Sequence, residues 1–115
     1  MPPRPLQAEV WLADFNPSRG HEQAGFRPAV VVSVDLYNRG PAGLVVVVPI
    51  SSKDKGIPLH VRILPPDGGL DKVSFAMCDQ IRTIAKDRLA RKLGTVPASV
   101  LKEVKDRLRI LLDLA

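Results

Sequence analysis

The 115-residue chain has few of the residues that build covalent or metal cross-links. It contains one cysteine and two histidines, so it cannot form an intramolecular disulfide, and it offers no obvious set of zinc ligands. We therefore expect no metal and no cofactor. No apolar run approaches the length that a bilayer requires, and the opening MPPRPLQ lacks the apolar core of a signal peptide. These absences favour a cytoplasmic protein that does not associate with membranes.

The bulk composition predicts one globular domain with a basic surface. Apolar residues make up 45% of the chain, which argues against disorder, and this length suits a single hydrophobic core. We expect residues 1–7, which include three prolines, to be a flexible lead-in and residues 8–115 to form the domain. The net charge of +5 favours polyanionic partners such as RNA, DNA or an acidic protein segment.

Hydrophobic periodicity predicts a mainly β fold. Apolar and β-branched segments typical of strands lie at residues 9–15, 27–34, 44–51, 59–64, 74–84 and 90–96. The long segment 74–84 is expected to be bent, and a helical turn is expected near AKDRL. Because 27–34 and 44–51 are continuously apolar, we predict that both strands are buried on two faces. Such a pattern indicates a compact antiparallel barrel or curled sheet.

The C-terminal tail changes to a helical period. Leu101, Val104, Leu108 and Leu111 recur at helical spacing, and Pro97 can open the helix because its missing N–H would be unpaired there. We expect this helix to cover the sheet. The apolar strands are more continuous than a small barrel needs, so we predict that a second copy of the chain covers the excess in a homodimer.

Polar chemistry is concentrated in the loop GHEQAGFRP. Proline forces the preceding residue into extended geometry, so Arg27 before Pro28 is expected at a defined strand mouth. Its guanidinium is always charged and matches phosphate oxygens with a planar fork. His21 can move protons near neutral pH, while Glu22 and Gln23 can hold sugar hydroxyls or base edges. The alternative for such a loop is a capped surface hairpin with an Arg–Glu ion pair.

Further polar residues follow or interrupt two apolar strands. They are Ser51, Ser52, Lys53, Lys55, Asp79, Gln80 and Arg82. An aspartate among apolar residues has to find a partner or reach a cleft, so Asp79 is either a structural hydrogen-bond bridge or a site residue. We expect His60 to be a surface histidine, and Cys78 and Trp11 to lie in the core.

Four blocks of sequence resemble a known family. EVWLADFNPSRGHEQAGFRPAVVVS, VVVVPISSKDKG, CDQIRTI and KLGTVP, in this order, are similar to the MazF/PemK (Kid-like) toxin endoribonucleases of type II toxin–antitoxin systems. The block G-x-E-Q-x-G-x-R-P is the specific part. The resemblance implies an SH3-like small antiparallel β-barrel of the CcdB/Kid/MazF type with a C-terminal helix, a homodimer, and metal-independent cleavage of single-stranded RNA. It also implies a cognate antitoxin whose acidic, disordered tail covers the RNA groove.

The resemblance implies two overlapping catalytic sets. The MazF branch matches at Arg27 and at Ser51, where serine stands in place of the family's threonine. The Kid branch matches at His21 and Asp79, but Met77 occupies the position of that branch's arginine. We expect Arg27 to stabilise a phosphorane, Ser51 to donate to the same phosphate, and Asp79 or His21 to move protons. The products would be a 2′,3′-cyclic phosphate and a 5′-hydroxyl.

The remaining polar residues are expected to bind RNA. Lysines and an arginine would hold the backbone, polar side chains would contact sugars and base edges, and Phe26 would either stack a base or pack on the barrel; the set is Glu22, Gln23, Phe26, Ser52, Lys53, Lys55, Gln80 and Arg82. Two alternatives stay open. One is a gyrase-poisoning toxin of the same fold, and the other is a catalytically inactive relative that binds an antitoxin.

Overall fold

The computed structural model describes residues 3–17, 19–22 and 25–115. Seven strands and two helices lie in this part of the chain, in the order β1 (Glu9–Asp14), β2 (Phe26–Val31), α1 (Asp35–Asn38), β3 (Leu44–Ser51), β4 (His60–Ile63), β5 (Ser74–Met77), β6 (Arg82–Ala85), β7 (Leu89–Thr95) and α2 (Ala98–Leu112). Three short 3₁₀ turns lie at Asp67–Gly69, Cys78–Gln80 and Lys86–Arg88. The predicted mainly β fold with a C-terminal helix is confirmed.

Strand β3 is the centre of the antiparallel sheet. The strands follow the order β4-β5-β3-β2-β1-β7, and β6 also pairs with β3. Strand β2 lies along one edge of β3, whereas β6 pairs with Leu44–Val47 and β5 pairs with Ile50 and Ser51 along the other edge. The predicted strand 74–84 is therefore bent, because the Cys78–Gln80 turn divides it into two strands that share one edge of β3.

Strands β2 and β3 supply two separate hydrophobic clusters. Val30 and Val48 belong to a cluster that also contains Val104 of α2. Their neighbours Val31 and Val47 belong to a second cluster, with residues of β1, β6 and β7. Since successive side chains of a strand point to opposite faces, the prediction that both strands are buried on two faces is confirmed. The polar ends of these strands are thereby held on a rigid support.

Helix α2 covers the first cluster, but fewer of its apolar residues are buried than the sequence suggests. Val100 and Val104 are buried, and Leu101 and Leu108 pack partly against the same cluster. The expectation that Leu111 belongs to the buried stripe is wrong, since it is 37% exposed beyond the end of the cluster. Pro97 is the N-cap residue and lies just outside the helix. No helix in the described ranges is long and apolar enough to cross a bilayer.

The N-terminal segment and Trp11 are fixed by one buried carboxylate. Glu9 Oε1 accepts from the Leu6 amide at 2.8 Å and from the Trp11 indole at 3.0 Å, and Oε2 lies 2.9 Å from Lys92 Nζ. Burial opposes the ionisation of Glu9, but these hydrogen bonds outweigh it and hold the pKa of Glu9 below its ordinary value. Trp11 is half-buried against the second cluster rather than fully in the core.

The turn before β5 packs tightly on β7. Gly69 has a φ of +71°, and a Cβ there would lie 1.9 Å from the carbonyl oxygen of Leu93. A Cβ at Gly94 would lie 2.5 Å from the Gly69 nitrogen. Because neither backbone can yield easily, both positions require glycine, and their contact fixes the segment that leads to Asp71 and Lys72.

This contact predicts a large loss of stability for Gly69→Ala. We expect the free energy of unfolding to fall by about 3 kcal/mol or more, because the left-handed backbone and the clash with Leu93 add together. Gly43→Ala is the matched control, since Gly43 has the same φ of +71° with nothing near its Cβ position; it should lose only about 1–2 kcal/mol. Urea denaturation measures both, and equal losses would contradict the packing argument.

Candidate active site

The start of β2 is fixed by hydrogen bonds at the base of the β1–β2 loop. The Gly25 amide donates to Asn16 Oδ1 at 3.1 Å, and its carbonyl accepts from the Phe15 amide at 3.0 Å. Arg88 donates to the carbonyl oxygens of Asp14 (3.2 Å) and Asn16. These bonds hold the chain immediately before β2, so the strand mouth predicted from the Arg27–Pro28 step is confirmed.

The β2–β3 register brings Arg27 to Ser51. The paired residues are Ala29 with Pro49, Val30 with Val48 and Val31 with Val47. Continuing this antiparallel register by two residues sets Arg27 opposite Ser51, and residues opposite one another in an antiparallel pair project from the same face. The guanidinium and the hydroxyl therefore come from adjacent strand ends.

Arg27 and Ser51 share one cleft of about 520 Å³. It is lined by His21, Glu22, Arg27, Pro28, Ile50, Ser51, Ser52, Lys53, Lys55, Leu70, Asp71, Lys72 and Ser74. Four of these side chains are cations and two are carboxylates, so the lining carries an excess of positive charge. Such a cleft attracts an anionic ligand and raises its local concentration.

The Ser51 hydroxyl is oriented by its own loop. Ser51 Oγ accepts a hydrogen bond from the Lys53 amide at 3.2 Å. The hydroxyl hydrogen is then still available for donation, since Ser51 uses only an oxygen lone pair in this contact. The next turn is closed by Asp54, whose Oδ1 accepts from the Gly56 amide at 2.9 Å. The loop thus presents a hydroxyl donor between Arg27 and the two loop lysines.

His21 lies on a tight turn at the edge of the cleft. The Glu22 carboxylate accepts from the Arg19 amide at 2.9 Å, and the Glu22 amide donates to the Arg19 carbonyl at 3.1 Å. His21 is exposed on this turn and lines the cleft. Gln23, the other predicted RNA-binding residue of this loop, lies outside the described residues.

Asp79 does not line the cleft. Its Oδ1 lies 2.7 Å from His60 Nε2. The expectation of a surface histidine is wrong, because the His60 side chain is only 3% exposed. Alternation along β4 assigned this side chain to a solvated face. Arg62 on the same face is exposed, but Asp79 of the Cys78–Gln80 turn covers His60.

Met77 contacts both a residue of the cleft lining and a residue of the Cys78–Gln80 turn. Lys55 Nζ, which lines the cleft, lies 3.6 Å from Met77 Sδ, and Gln80 Nε2 lies 3.7 Å from the same sulfur. Met77 is fully buried. Asp79 and Gln80 are therefore neighbours of the cleft wall rather than part of its lining.

Arg82 and Phe26 also lie outside the cleft lining. The Arg82 guanidinium carbon stands 5.2 Å from the ring centre of the buried Phe15, in a cation–π contact. Phe26 immediately precedes Arg27 and is 58% exposed, so the expectation that it packs on the barrel is wrong. Because successive side chains of a strand point to opposite faces, its ring projects from the face of β2 opposite to Arg27 and the cleft.

Sequence analysis missed Asp71 and Lys72. Both line the cleft, although the segment PPDGGLDK reads only as a turn. Ser74 Oγ donates to the Lys72 carbonyl at 2.9 Å, which ties the end of this turn to β5. The only signal in the sequence was a lysine two residues before a strand, and its position depends on the distant contact between Gly69 and β7.

Cys78 has the properties of a core residue. It is fully buried, and burial raises the pKa of its thiol to about 11. Because the thiolate is the reactive form, Cys78 is no nucleophile at neutral pH, and the prediction of a core position is confirmed. No group of three or more His, Cys, Asp or Glu side chains in the described ranges could hold a metal ion.

Residues 6–112 match the family described as PemK-like, MazF-like toxin of type II toxin–antitoxin system. The chain belongs to this family. Among curated MazF-like relatives, "Endoribonuclease MazF9" of Mycobacterium tuberculosis is 39% identical over 94% of this chain and 96% of the relative. "Endoribonuclease toxin MazF" of Escherichia coli K12 is 38% identical over 90% of this chain and 88% of the relative.

Solved MazF structures share the fold. MazF of Deinococcus radiodurans superposes with a TM-score of 0.83 at 36% identity, covering 97% of this chain and 99% of that chain. A MazE–MazF structure from the same organism gives a TM-score of 0.77 at 32% identity, covering 98% of this chain and 99% of that chain. The seven-stranded sheet with its C-terminal helix is therefore the MazF-like fold.

Proposed function

We propose that this MazF-like toxin, an endoribonuclease of a toxin–antitoxin system, cleaves single-stranded RNA in the cleft that contains Arg27 and Ser51. The observation that carries the proposal is the register of β2 and β3, which brings a guanidinium and a hydroxyl from adjacent strand ends to one cationic cleft. The substrate is messenger RNA in the cytoplasm, and its cleavage blocks translation.

The proposed reaction uses the RNA's own nucleophile. The 2′-hydroxyl oxygen bonds to the adjacent phosphorus while its proton is removed, and the bond from phosphorus to the 5′-oxygen breaks as that oxygen gains a proton. The products are a 2′,3′-cyclic phosphate and a 5′-hydroxyl, and no metal is needed. Arg27 and Ser51 stabilise the negative charge that builds on the phosphate oxygens, as preorganised donors do in other active sites.

Proton transfer is assigned to His21 and Asp79. His21 lines the cleft, whereas Asp79 lies outside its lining, on the Cys78–Gln80 turn that contacts Met77. Asp79 can therefore take part only if the bound RNA runs over the cleft wall towards this turn. One of them removes the proton from the 2′-hydroxyl and the other supplies the proton to the 5′-oxygen.

The RNA backbone is held by the cations around Arg27. Lys53 and Lys55 come from the loop after β3, and Lys72 adds a further cation from the turn before β5. Glu22 and Asp71 are placed to accept from donor groups on base edges, which single-stranded RNA exposes freely. Phe26 is exposed on the opposite face of β2 from Arg27, so it would stack only a base of RNA that passes around the end of that strand. Ser52 lines the same cleft, while Gln80 and Arg82 would act only on RNA that extends beyond it.

Substitution of Arg27 tests this proposal. Arg27→Ala should lower kcat for a single-stranded RNA by about 10²–10³-fold, the usual loss for one transition-state donor. The kcat of Arg27→Lys should lie between those of the unaltered protein and Arg27→Ala, because lysine keeps the charge but loses the planar fork. Cleavage by the unaltered protein should persist in EDTA and leave cyclic-phosphate ends. Arg91→Ala, at an exposed arginine of β7, is the control and should cleave normally.

Three results would count against the assignment. Normal cleavage by Arg27→Ala would remove Arg27 from the reaction. Intact RNA accompanied by inhibited gyrase would favour the gyrase-poisoning alternative, and intact RNA with bound antitoxin alone would favour an inactive relative.

The ionic-strength dependence of RNA binding tests the cationic cleft. Each phosphate contact on single-stranded RNA contributes a slope of about −0.7 to log K against log salt. The double substitution Lys53→Gln and Lys55→Gln should therefore make the slope shallower by about 1.4. Lys102→Gln, at an exposed lysine of α2, should leave the slope unchanged. A slope that the double substitution does not alter would contradict backbone contacts by these lysines.

We propose that the protein forms a homodimer through α2 rather than through the strands. Strands β2 and β3 are already covered within one chain. Large apolar side chains remain exposed at the end of α2, where Leu112 and Leu114 line a groove of about 320 Å³ rimmed by Lys105 and Arg109. Asp106 is already paired within the helix, since its Oδ1 lies 2.7 Å from Arg109 Nη1. The proposed dimer therefore rests on the burial of these exposed leucines by a second copy of the chain.

Sedimentation equilibrium tests this interface. The unaltered toxin should sediment as a dimer, and Leu112→Glu should shift it towards monomer because a carboxylate would enter the apolar contact. Leu64→Glu, at an exposed leucine that does not line this groove, is the control and should remain dimeric. A monomeric unaltered toxin, or a dimer that Leu112→Glu leaves intact, would contradict the proposal.

We also propose a cognate antitoxin with an acidic, disordered tail. Structures of MazE–MazF from Deinococcus radiodurans contain a toxin of the same fold together with an antitoxin. The excess of cations in the cleft favours an acidic segment for the same electrostatic reason that it favours RNA, so the tail and the substrate would compete for one surface.

A further inference from the structure

His60 and Asp79 form a pair beside the cleft, in which the histidine is buried and the aspartate is partly exposed. His60 Nε2 and Asp79 Oδ1 are 2.7 Å apart; the His60 side chain is 3% exposed and the Asp79 side chain is 32% exposed. His60 thus lies behind Asp79 as seen from solvent. His60 Nδ1 is buried and has no hydrogen-bond partner among the described residues. A buried polar atom without a partner is uncommon, and here it belongs to a ring whose other nitrogen holds a carboxylate.

The chemistry of the two groups fixes the direction of the hydrogen bond. An ionised carboxylate only accepts hydrogen bonds, so His60 Nε2 must carry the hydrogen. A hydrogen on Nδ1 would add a buried donor that has no acceptor, and this arrangement is unfavourable. The contact therefore selects the form in which His60 donates through Nε2 to Asp79 Oδ1. The structure records no bond from the other carboxylate oxygen, Oδ2, to a described residue.

The pair is connected to the cleft by the strand register. His60 is the cross-strand partner of Met77, whose sulfur lies 3.6 Å from Nζ of the cleft residue Lys55. The charged groups around the pair come from three elements: Lys55 from the loop before β4, Arg62 two residues along β4, and Arg107 of α2, whose Nε donates to the Pro58 carbonyl at 3.2 Å. The adjacent Cys78 contributes no charge at neutral pH, since burial raises its pKa.

We propose that His60 is a positioning residue for RNA cleavage. By donating Nε2–H to Oδ1, it holds the Asp79 carboxylate in one orientation beside the cleft wall and leaves Oδ2 to exchange a proton with the RNA. This inference rests on the proposed role of Asp79 in proton transfer. It assigns a function to a buried histidine that no part of the reaction otherwise uses.

Paired substitutions at His60 test the inference. His60→Phe keeps a planar ring of similar volume but has no donor, and kcat should fall at least tenfold while KM changes less than twofold. His60→Gln can offer an amide N–H near the position of Nε2, and it should keep kcat within about threefold of the unaltered toxin. Asp79→Asn should lower kcat at least as much as His60→Phe. Adding His60→Phe to Asp79→Asn should cause no further loss, because residues that act as a unit are not additive.

Each outcome separates this inference from the function on which it rests. If the unaltered toxin cleaves RNA and Arg27→Ala does not, normal kcat in His60→Phe overturns the role of His60 alone. Additive losses in the double variant overturn it as well. If the unaltered toxin cleaves no RNA, the proposed function fails and this inference fails with it.

A spectroscopic measurement covers the case in which His60→Phe does not fold. Long-range proton–nitrogen NMR spectra of the unaltered toxin should show His60 with a protonated Nε2. A ring protonated only on Nδ1 would overturn the proposal whatever the variants do.

Discussion

The pairing of β2 with β3 is the constraint on which the rest of the structure depends. Three paired positions, ending at Ala29 and Pro49, set the register, and a shift of one residue would turn every side chain of β2 to the opposite face. Such a shift would exchange the residues of the two hydrophobic clusters and move Arg27 out of line with Ser51. The buried surface that stabilises the sheet thus also fixes the geometry of the candidate site.

Charge and rigidity are divided between different parts of the molecule. The strand ends supply the fixed groups Arg27 and Ser51, while surrounding loops supply most of the remaining charge and the exposed His21. Long-range electrostatic attraction can gather a polyanion without precise positioning, whereas stabilisation of a reacting phosphate requires donors that are already in place. This division is consistent with the proposed sequence-specific ribonuclease, which would attract RNA by charge and act on one phosphate of it.

The strands, the helix and Arg27 could be predicted because local rules govern them. β-Branched runs indicate buried strands, and a proline fixes the residue before it. Lys72 and Asp71 could not be assigned, since their position depends on the contact of Gly69 with β7. His60 was misplaced because alternation along one strand does not reveal that a distant turn covers it. Whether Leu111 is buried likewise depends on how far the cluster beneath α2 extends along the helix. The spacing of apolar residues within the helix does not indicate this.

The central claim is that Arg27 and Ser51 act together on one phosphate. The most direct test is a crystal structure of the toxin with an RNA that it cleaves, made inert by a 2′-deoxy substitution at the cleavage position. The account predicts that the guanidinium of Arg27 and the hydroxyl of Ser51 both lie within about 2.7–3.2 Å of oxygens of the scissile phosphate. A scissile phosphate that lies elsewhere on the surface, in contact with neither side chain, would contradict it.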